Sequence, residues 1–598
     1  MLSIFYSNSK LDIEKIFIFL ILAATFTPSF NALDNNAIRW NLLTIISGLY
    51  LIKTYFSNDL KQKINKSLNI FFTASILYFI FSIFKAANFN EALISGNKIF
   101  TIFLVFITSL LAFKKIENGI IYISKIFTVF LFIECSYIIL ESLFSNNYFT
   151  GIASNRNISS SSILTKLGLL IYLNYSSILS KYRLYLKIIE FLAIYSIIIL
   201  ESRLGIGSIF LIYLFLFIRY TLKRKEILMS IFLMIFSFFA SNNFNSDETS
   251  SNNGILLDLS SDESLNQRLS FYEHAIDLIT QKPIFGHGIG SWKYESINYV
   301  RYEEDRLLIP YYTHNDFLQL TVEAGILGVL IYLIFIINIL LFIFKQFRKE
   351  SFFIPIIITF IYFILNSLIN FPLSRSQELI PVILLSALIL SYSSNKNSES
   401  KRPYLILVLI FMLIPSCYLY NQEHKSSIVQ KIVLNDYEKN IYSLNINQVD
   451  QIEYRLPNIA VNTVPISTYL SRYYFEEKDY RKSLELLSYS LKVNKYDFLT
   501  KELLLKNYIF LNQKENAYTL VKSLINDYPN NFTYGQIYFS LVLDLNKFDE
   551  LVADRIIYKS NNINIHRLFF STLEKRGLNN EDYFEEFFKY SKSVFPDL

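Results

Sequence analysis

Three short stretches of this 598-residue chain gather side chains able to hold anions and move protons. The richest begins at Arg268, passes Tyr272 and reaches the turn Pro283-Ile284-Phe285-Gly286-His287-Gly288-Ile289-Gly290. It resumes at Thr313-His314-Asn315-Asp316 and ends in Glu323-Ala324-Gly325-Ile326-Leu327-Gly328. The second is Glu201-Ser202-Arg203-Leu204-Gly205, and the third is Thr150-Gly151-Ile152-Ala153-Ser154-Asn155-Arg156-Asn157. Guanidinium stays protonated and binds oxyanions in a bidentate fork, so Arg203 and Arg268, with Arg156 behind them, can stabilise developing negative charge. His314 is a candidate general base, because an unperturbed imidazole titrates at about 6.5. Asn315 can orient a substrate or the imidazole, and Glu323 lies far enough into the following helix to act as a supporting partner. Plainer readings stand beside these. His314 can be a polar residue at a helix start, and Arg268 can cap or ion-pair a loop helix near Asp262 and Glu263. His274, His287 and His314 do not suggest zinc, since spacings of 13 and 27 match no helical ligand pair and no cysteine lies near. The glycines of 286–290 lack the strand-to-helix setting of a nucleotide loop and read as a tight turn.

The elements that must position these residues are membrane helices. Phe and Tyr number 55 and 43, whereas charged residues make up only 18% of the chain, against about a quarter in soluble proteins. The shortfall lies in the first 420 residues, where apolar runs alternate with short polar breaks. A helix needs about 20 apolar residues to cross a bilayer with its backbone paired. Thirteen stretches qualify: 15–33, 38–56, 67–86, 98–114, 119–143, 161–180, 184–201, 204–221, 226–241, 319–345, 352–371, 377–394 and 403–420. The expected fold is therefore all-α, a polytopic bundle of 12–13 spans over 1–420 with a large polar loop at 242–318. The run after Met1 is followed by many others and reads as a retained first span rather than a signal peptide. Residues 242–263, rich in Ser, Asn and Asp, read as solvated and mobile. Lysines and arginines fall at every second junction: Lys53–Lys66, Lys114–Lys115, Lys181–Arg183, Lys223–Lys225, Lys345–Lys349 and Lys396–Arg402. The positive-inside rule then places the N-terminus in the cytoplasm and loop 242–318 outside, with the tail on that same outer side. The net charge of +6 is spent on this alternation, so it does not point to nucleic acid. Cys135 and Cys417 lie singly in apolar runs and read as buried thiols.

The tail, 421–598, is rich in Tyr, Leu, Lys, Glu and Asn and reads as soluble amphipathic helices. Ser483, Ala517 and Leu551 are spaced by 34 residues, as are Lys495 and Pro529. That period is similar to the tetratricopeptide helix–turn–helix, although its usual Gly and Trp positions are not kept. Such arrays often bind proteins on a concave face, so a protein partner through 421–598 is expected.

Taken together, the residues of 150–328 resemble the O-antigen ligase and Wzy-type polymerase superfamily of bacterial oligosaccharyltransferases. An Arg with an aromatic four residues on, a Pro-x-x-Gly-x-Gly turn, and a His-Asn opening a span with Glu-x-Gly-x-x-Gly all occur in order, with Ser-Arg-x-Gly and Asn-x-Asn upstream. Tyr272 stands where the family more often has Trp, and His287 is not a family requirement. The resemblance implies a GT-C-like membrane enzyme of the bacterial inner membrane with a periplasmic tetratricopeptide-like tail. It implies a polyprenyl-diphosphate-linked glycan as donor and inverting transfer to an acceptor hydroxyl, without metal or other cofactor. The acceptor is lipid A–core for a ligase, Ser/Thr of a protein, or a growing glycan for a polymerase. His314, Arg268 and Arg203 would be catalytic. Arg156, Asn155, Asn157, Tyr272, Asn315 and Glu323 would bind substrate. Two other classes compete. A transporter would need ionisable residues at mid-span, of which only Glu134 and Glu141 stand out. A membrane-anchored scaffold would act through its tail.

The topology is testable by itself. A reporter fused after Leu598 should be active only when periplasmic, and one fused near Arg224 should behave as cytoplasmic. The reverse pattern would show that the spans are miscounted.

Overall fold

A computed structural model describes residues 12–57, 64–144, 149–176, 178–219, 224–244, 263–299, 311–350, 352–392, 399–400, 403–578 and 581–596. Most of 242–263, expected to be solvated, lies outside them, as does Asp262. The described residues are helical apart from a two-residue antiparallel pairing of Ile64–Asn65 with Glu399–Ser400 and one isolated bridge. They divide into two compact units: Met1–Trp292 with Tyr312–Ile428, and Lys293–Tyr311 with Val429–Leu598.

The first unit holds α1 (Ile13–Ala24), α2 (Asn36–Phe56), α3 (Lys66–Lys85), α4 (Phe89–Phe113), α5 (Gly119–Phe144), α6 (Arg156–Tyr175), α7 (Arg183–Ile199), α8 (Arg203–Arg219), α9 (Arg224–Phe244) and α10 (Glu263–Gln281). The short α11 (Trp292–Glu295) lies where the chain leaves it, and α12 (Asp316–Phe347), α13 (Phe353–Ile369), α14 (Ser376–Ser391), α15 (Pro403–Phe411) and α16 (Leu413–Lys439) follow. A helix falls on each of the thirteen apolar stretches. By length and composition α4, α5 and α12 are long and apolar enough to cross a membrane. The last stretch is interrupted at Met412, and α16 runs on as far as Lys439. α4, α5, α6 and α14 enclose the core, where Leu104, Phe127, Leu167 and Leu384 are fully buried. Large apolar side chains also point outward, among them Leu49, Phe84, Ile218 and Leu341.

Two buried ionic groups correct the expectation that Glu134 and Glu141 are the main mid-span charges. Lys166 of α6 lies 3.1 Å from Glu134 of α5, both within 2% of full burial. Glu190 of α7 accepts from Tyr213, Ser230, Asn174 and Lys187 at 2.6–2.8 Å. Each carboxylate is held by partners from neighbouring helices, which is how buried charge is tolerated between apolar segments.

The element that orders the functional loop is a break in α12. Gly325 adopts φ +65°, ψ −174°, a conformation essentially reserved for glycine. The break frees carbonyls and an N–H, and the Pro-x-x-Gly-x-Gly turn takes them up. His287 and Gly288 donate their N–H groups to Val322 O and Glu323 O, both at 2.8 Å, while Ile326 N–H reaches Pro283 O at 2.9 Å. Glu323 completes the lock: one carboxylate oxygen accepts from Gly290 N–H at 2.9 Å and the other from Gln319 at 3.2 Å. A Cβ on Gly325 would stand 2.2 Å from Ile284 O, and one on Gly288 would stand 2.4 Å from the Ala86 backbone. Two glycine motifs 35 residues apart are thus one structure.

The second unit consists of α17 (Ile446–Asp450), α18 (Ile466–Glu476), α19 (Tyr480–Val493), α20 (Phe498–Phe510), α21 (Lys514–Asp527), α22 (Phe532–Leu545), α23 (Phe548–Asp554), α24 (Ile563–Lys575) and α25 (Asp582–Val594). Helix starts recur at 34 residues, at Tyr480, Lys514 and Phe548 and again at Phe498 and Phe532. Ser483, Ala517 and Leu551 are all fully buried. Neighbouring helices come close through small polar contacts, such as Ser467–Ser490 and Thr468–Thr500 at 2.6 Å.

Gly325→Ala should lower stability by roughly 2–4 kcal/mol, from strain and overpacking together. Gly207→Ala, at an open helical position, should be neutral or slightly stabilising. Thermal unfolding of both variants in detergent decides it; equal melting temperatures would refute the lock.

Candidate functional site

With the turn locked into α12, α10 is carried against the start of α12, and the two packed elements bring Arg268, Phe271 and Tyr272 to His314. Tyr272 donates its hydroxyl to His314 O at 3.0 Å, with Leu368 O at 3.4 Å as a second acceptor. This fixes the imidazole's backbone, which sits at φ +56°, a left-handed conformation that side chains rarely adopt without tertiary support. The ring stacks toward Phe271 with centroids 6.5 Å apart and meets the edge of Phe371 at 5.0 Å. Its Nδ1 is buried without a hydrogen-bond partner. Arg268 reaches Ile369 O at 3.4 Å, at the end of α13.

Opposite Arg268 stands a residue that the sequence reading did not single out. Arg375, the residue before α14, lies over the rings of Tyr312 and Phe371 at 5.5 and 5.2 Å, and those rings stack on each other at 4.2 Å. The signal was present in the charge pattern. Arg375 sits in a short loop on the side expected to be poor in basic residues, and such an exception merits an electrostatic explanation.

Burial, then Arg268 and then Arg375 push the His314 pKa down to about 4. This corrects the expectation that His314 titrates at its unperturbed value. Two cations and an apolar wall all disfavour imidazolium, so the ligand-free ring is neutral near pH 7, the form that a general base needs. Burial also raises the Tyr272 phenol above its ordinary range, consistent with a neutral hydrogen-bond donor.

The remaining expected site residues divide between two places. Asn315 caps α12, accepting from Phe317 and Leu318 N–H at 3.0 and 3.1 Å, and Glu323 is engaged in the lock described above. Both carboxylate oxygens and the Asn315 oxygen therefore have local partners in this conformation. Asn155 caps α6 in the same way, accepting from Asn157 and Ile158 N–H at 2.9 and 3.2 Å. Asn157 is exposed beside it. Arg156 pairs with Glu201 at 2.9 Å and reaches Phe149 O at 3.1 Å. Arg203 is exposed at the first position of α8. Gly205 explains part of that Ser-Arg-x-Gly turn: a Cβ there would stand 2.1 Å from Ser160, so glycine allows α8 to approach α6. The charges acting on His314 are those of Arg268 and Arg375; Arg203 and Arg156 are not among them. His287 donates its Nε2–H to Leu278 O, 3.0 Å away, within the turn's own support. Among the described residues no group of three or more His, Cys, Asp or Glu has the arrangement of a metal site.

Comparison with known proteins bears on this same stretch. The O-antigen ligase family matches residues 188–333. A Rickettsia felis protein named "Putative polysaccharide ligase" is 34% identical over 79 residues, covering 12% of this chain. The chain spans about a fifth of the length of that curated relative, 19%. The matched region takes in Arg203, Arg268, Tyr272, His314, Asn315 and Glu323, so the segment that locks the turn into α12 and presents His314 is the part of the chain that is similar to the O-antigen ligase family.

Proposed function

We propose that the chain transfers a glycan from a polyprenyl diphosphate to an acceptor hydroxyl, as an O-antigen ligase acting on lipid A–core. The observation that carries this reading is one buried imidazole, within the matched residues and at the start of an apolar helix, that feels the charges of Arg268 and Arg375. In the reaction the acceptor oxygen attacks C1 of the donor sugar. The C1–O bond to the diphosphate breaks, and its electron pair leaves with the diphosphate. The configuration at C1 inverts, and His314 takes the acceptor proton. Arg268 and Arg203 offset the charge that grows on the leaving group, which needs preorganised cations and no metal. A bound diphosphate also offsets the cations around His314 and so raises its basicity just when a base is required.

The rest of the reading follows from the same arrangement. Outward apolar side chains on many helices suit lipid contact, which supports a multi-span bundle in the inner membrane. The expected topology puts His314 and the tail on the periplasmic side, where the lipid-linked donor is presented. The 34-residue recurrence in the second unit supports a tetratricopeptide-like array that recruits a protein partner or acceptor.

In a strain lacking the gene, His314→Ala and Arg203→Ala should each reduce glycan transfer about 100-fold or more while the protein still accumulates. Intact glycan should appear on lipid A–core; glycan on protein, or as longer polymer, would select a different acceptor. Full transfer by both variants would overturn the assignment.

The acid limb of kcat/KM reports the ligand-free enzyme, and protonated His314 cannot act as base. That limb should therefore lie near pH 4, so kcat/KM holds steady as pH falls from 7 to 5. Arg268→Gln should move the limb upward. A wild-type limb at about 6.5, unchanged in Arg268→Gln, would show that these cations do not act on the base.

A further inference from the structure

The starts of α2 and α14 bring Arg39, for which the transfer mechanism has no use, into the neighbourhood of the same Arg375 that acts on His314. Arg39 is fully buried in the first turn of α2. Its Nε donates to Thr27 O at 2.8 Å and one terminal nitrogen donates to Ile152 O at 3.2 Å, while the other, Nη1, is buried without an acceptor. Arg375 at the start of α14 is partly exposed, and its Nε is likewise buried without an acceptor. The two helices pack together; Arg39 feels the Asp34 carboxylate first among charges and the Arg375 guanidinium next. Carboxylates are present nearby but are committed elsewhere or stand off. Glu134 pairs with Lys166, Glu378 accepts from Asn366 at 2.8 Å, and Asp34 binds Asn36 N–H at 3.1 Å. Among the described residues neither arginine has an ion-pair partner. The next residues along add to the excess: the Trp40 indole N–H and the Gln377 amide N–H are also buried without acceptors.

Four buried N–H donors and two like charges with no acceptor are what a packed interior normally avoids, because each unpaired donor and each unneutralised charge opposes folding. A ligand rich in anionic oxygen that reaches both guanidiniums would supply acceptors and offset their charge. We propose that Arg39 and Arg375, assisted by Trp40 and Gln377, form a second anion site that takes a phosphoryl group. Arginine forks suit phosphoryl oxygens, and partly exposed Arg375 provides the access. The phosphoryl group belongs either to the lipid-linked donor or to a phosphorylated lipid headgroup. Assigning it to the donor rests on the transfer reading; anion binding itself does not.

The test uses the full chain in phosphatidylcholine nanodiscs, with Arg268→Gln as background so that the other cation of the His314 site is silent. Inorganic pyrophosphate is titrated by calorimetry. Adding Arg39→Gln or Arg375→Gln should weaken binding about tenfold or more, the scale of losing a charge-assisted pair. Arg375→Lys should recover part of it. Without pyrophosphate, Arg375→Gln should unfold at the same or a higher temperature, because it removes a repulsion; Arg39→Gln is not used for this readout, since Arg39 also ties Thr27 to Ile152. Competition by polyprenyl diphosphate assigns the site to the donor, and competition only by nanodiscs containing phosphatidic acid assigns it to a headgroup. Unchanged pyrophosphate affinity in both variants, or a lower unfolding temperature for Arg375→Gln with affinity retained, would overturn the site. If wild type transfers no glycan yet these variants lose pyrophosphate, the transfer reading fails and the anion site stands.

Discussion

A helix broken at one glycine and filled by a turn from elsewhere in the chain is the constraint on which the rest of this site depends. An apolar helix cannot leave backbone groups unpaired, so the interruption at Gly325 is tolerable only because His287, Gly288 and Pro283 supply the missing partners. Those partners arrive at the end of α10. The pairing that repairs the backbone therefore also places Arg268 and Tyr272 one helix away from His314. Glu323 ties the turn to the helix on both sides, through Gly290 and Gln319. Its carboxylate acts on the site through this geometry, which is why a motif glutamate can be essential in position without facing a substrate.

What this geometry produces is an electrostatic state more than a shape. His314 is held neutral by burial and by two cations that approach from different elements, α10 and the turn before α14. Aromatic walls of Phe271, Phe371 and Tyr312 keep the region apolar, so the arginine charges are weakly screened. The same cations that depress the base are those best placed to receive an anion. In the proposed mechanism, ligand binding and base activation are then opposite sides of one balance.

The sequence disclosed much of this. Apolar run length located α1–α9 and α12–α15, because a buried or lipid-facing helix must be continuous in apolar residues, but it missed α10, which lies in the stretch read as a polar loop. His314, Arg268 and Tyr272 were legible because their motifs are local. Arg375 and Arg39 were not, because their meaning lies in juxtaposition. One belongs to a short loop about 100 residues beyond Arg268, and the other opens a helix more than 200 residues before it. Lys166 escaped for a different reason: a single lysine in an apolar run looks like a flaw until Glu134 is seen beside it. The titration of His314 was also beyond sequence reasoning, since it is set by neighbours rather than by residue type. Asn155 and Asn315 matched a motif correctly, but part of what that motif encodes is helix capping.

The lock also accounts for an otherwise odd division of the chain. Between the turn and His314, residues Lys293–Tyr311 fall in the second compact unit, where Tyr294 clusters with Ile459 and Val493. A catalytic loop held along its whole length could not lend a segment in this way. Among the described residues the loop is held near both ends, at Gly286–Gly290 by the α12 break and at Tyr312–His314 by Phe371 and Tyr272. Between those ends Tyr294 packs within the second unit, so the backbone lock and the packing of that unit act on different parts of the loop.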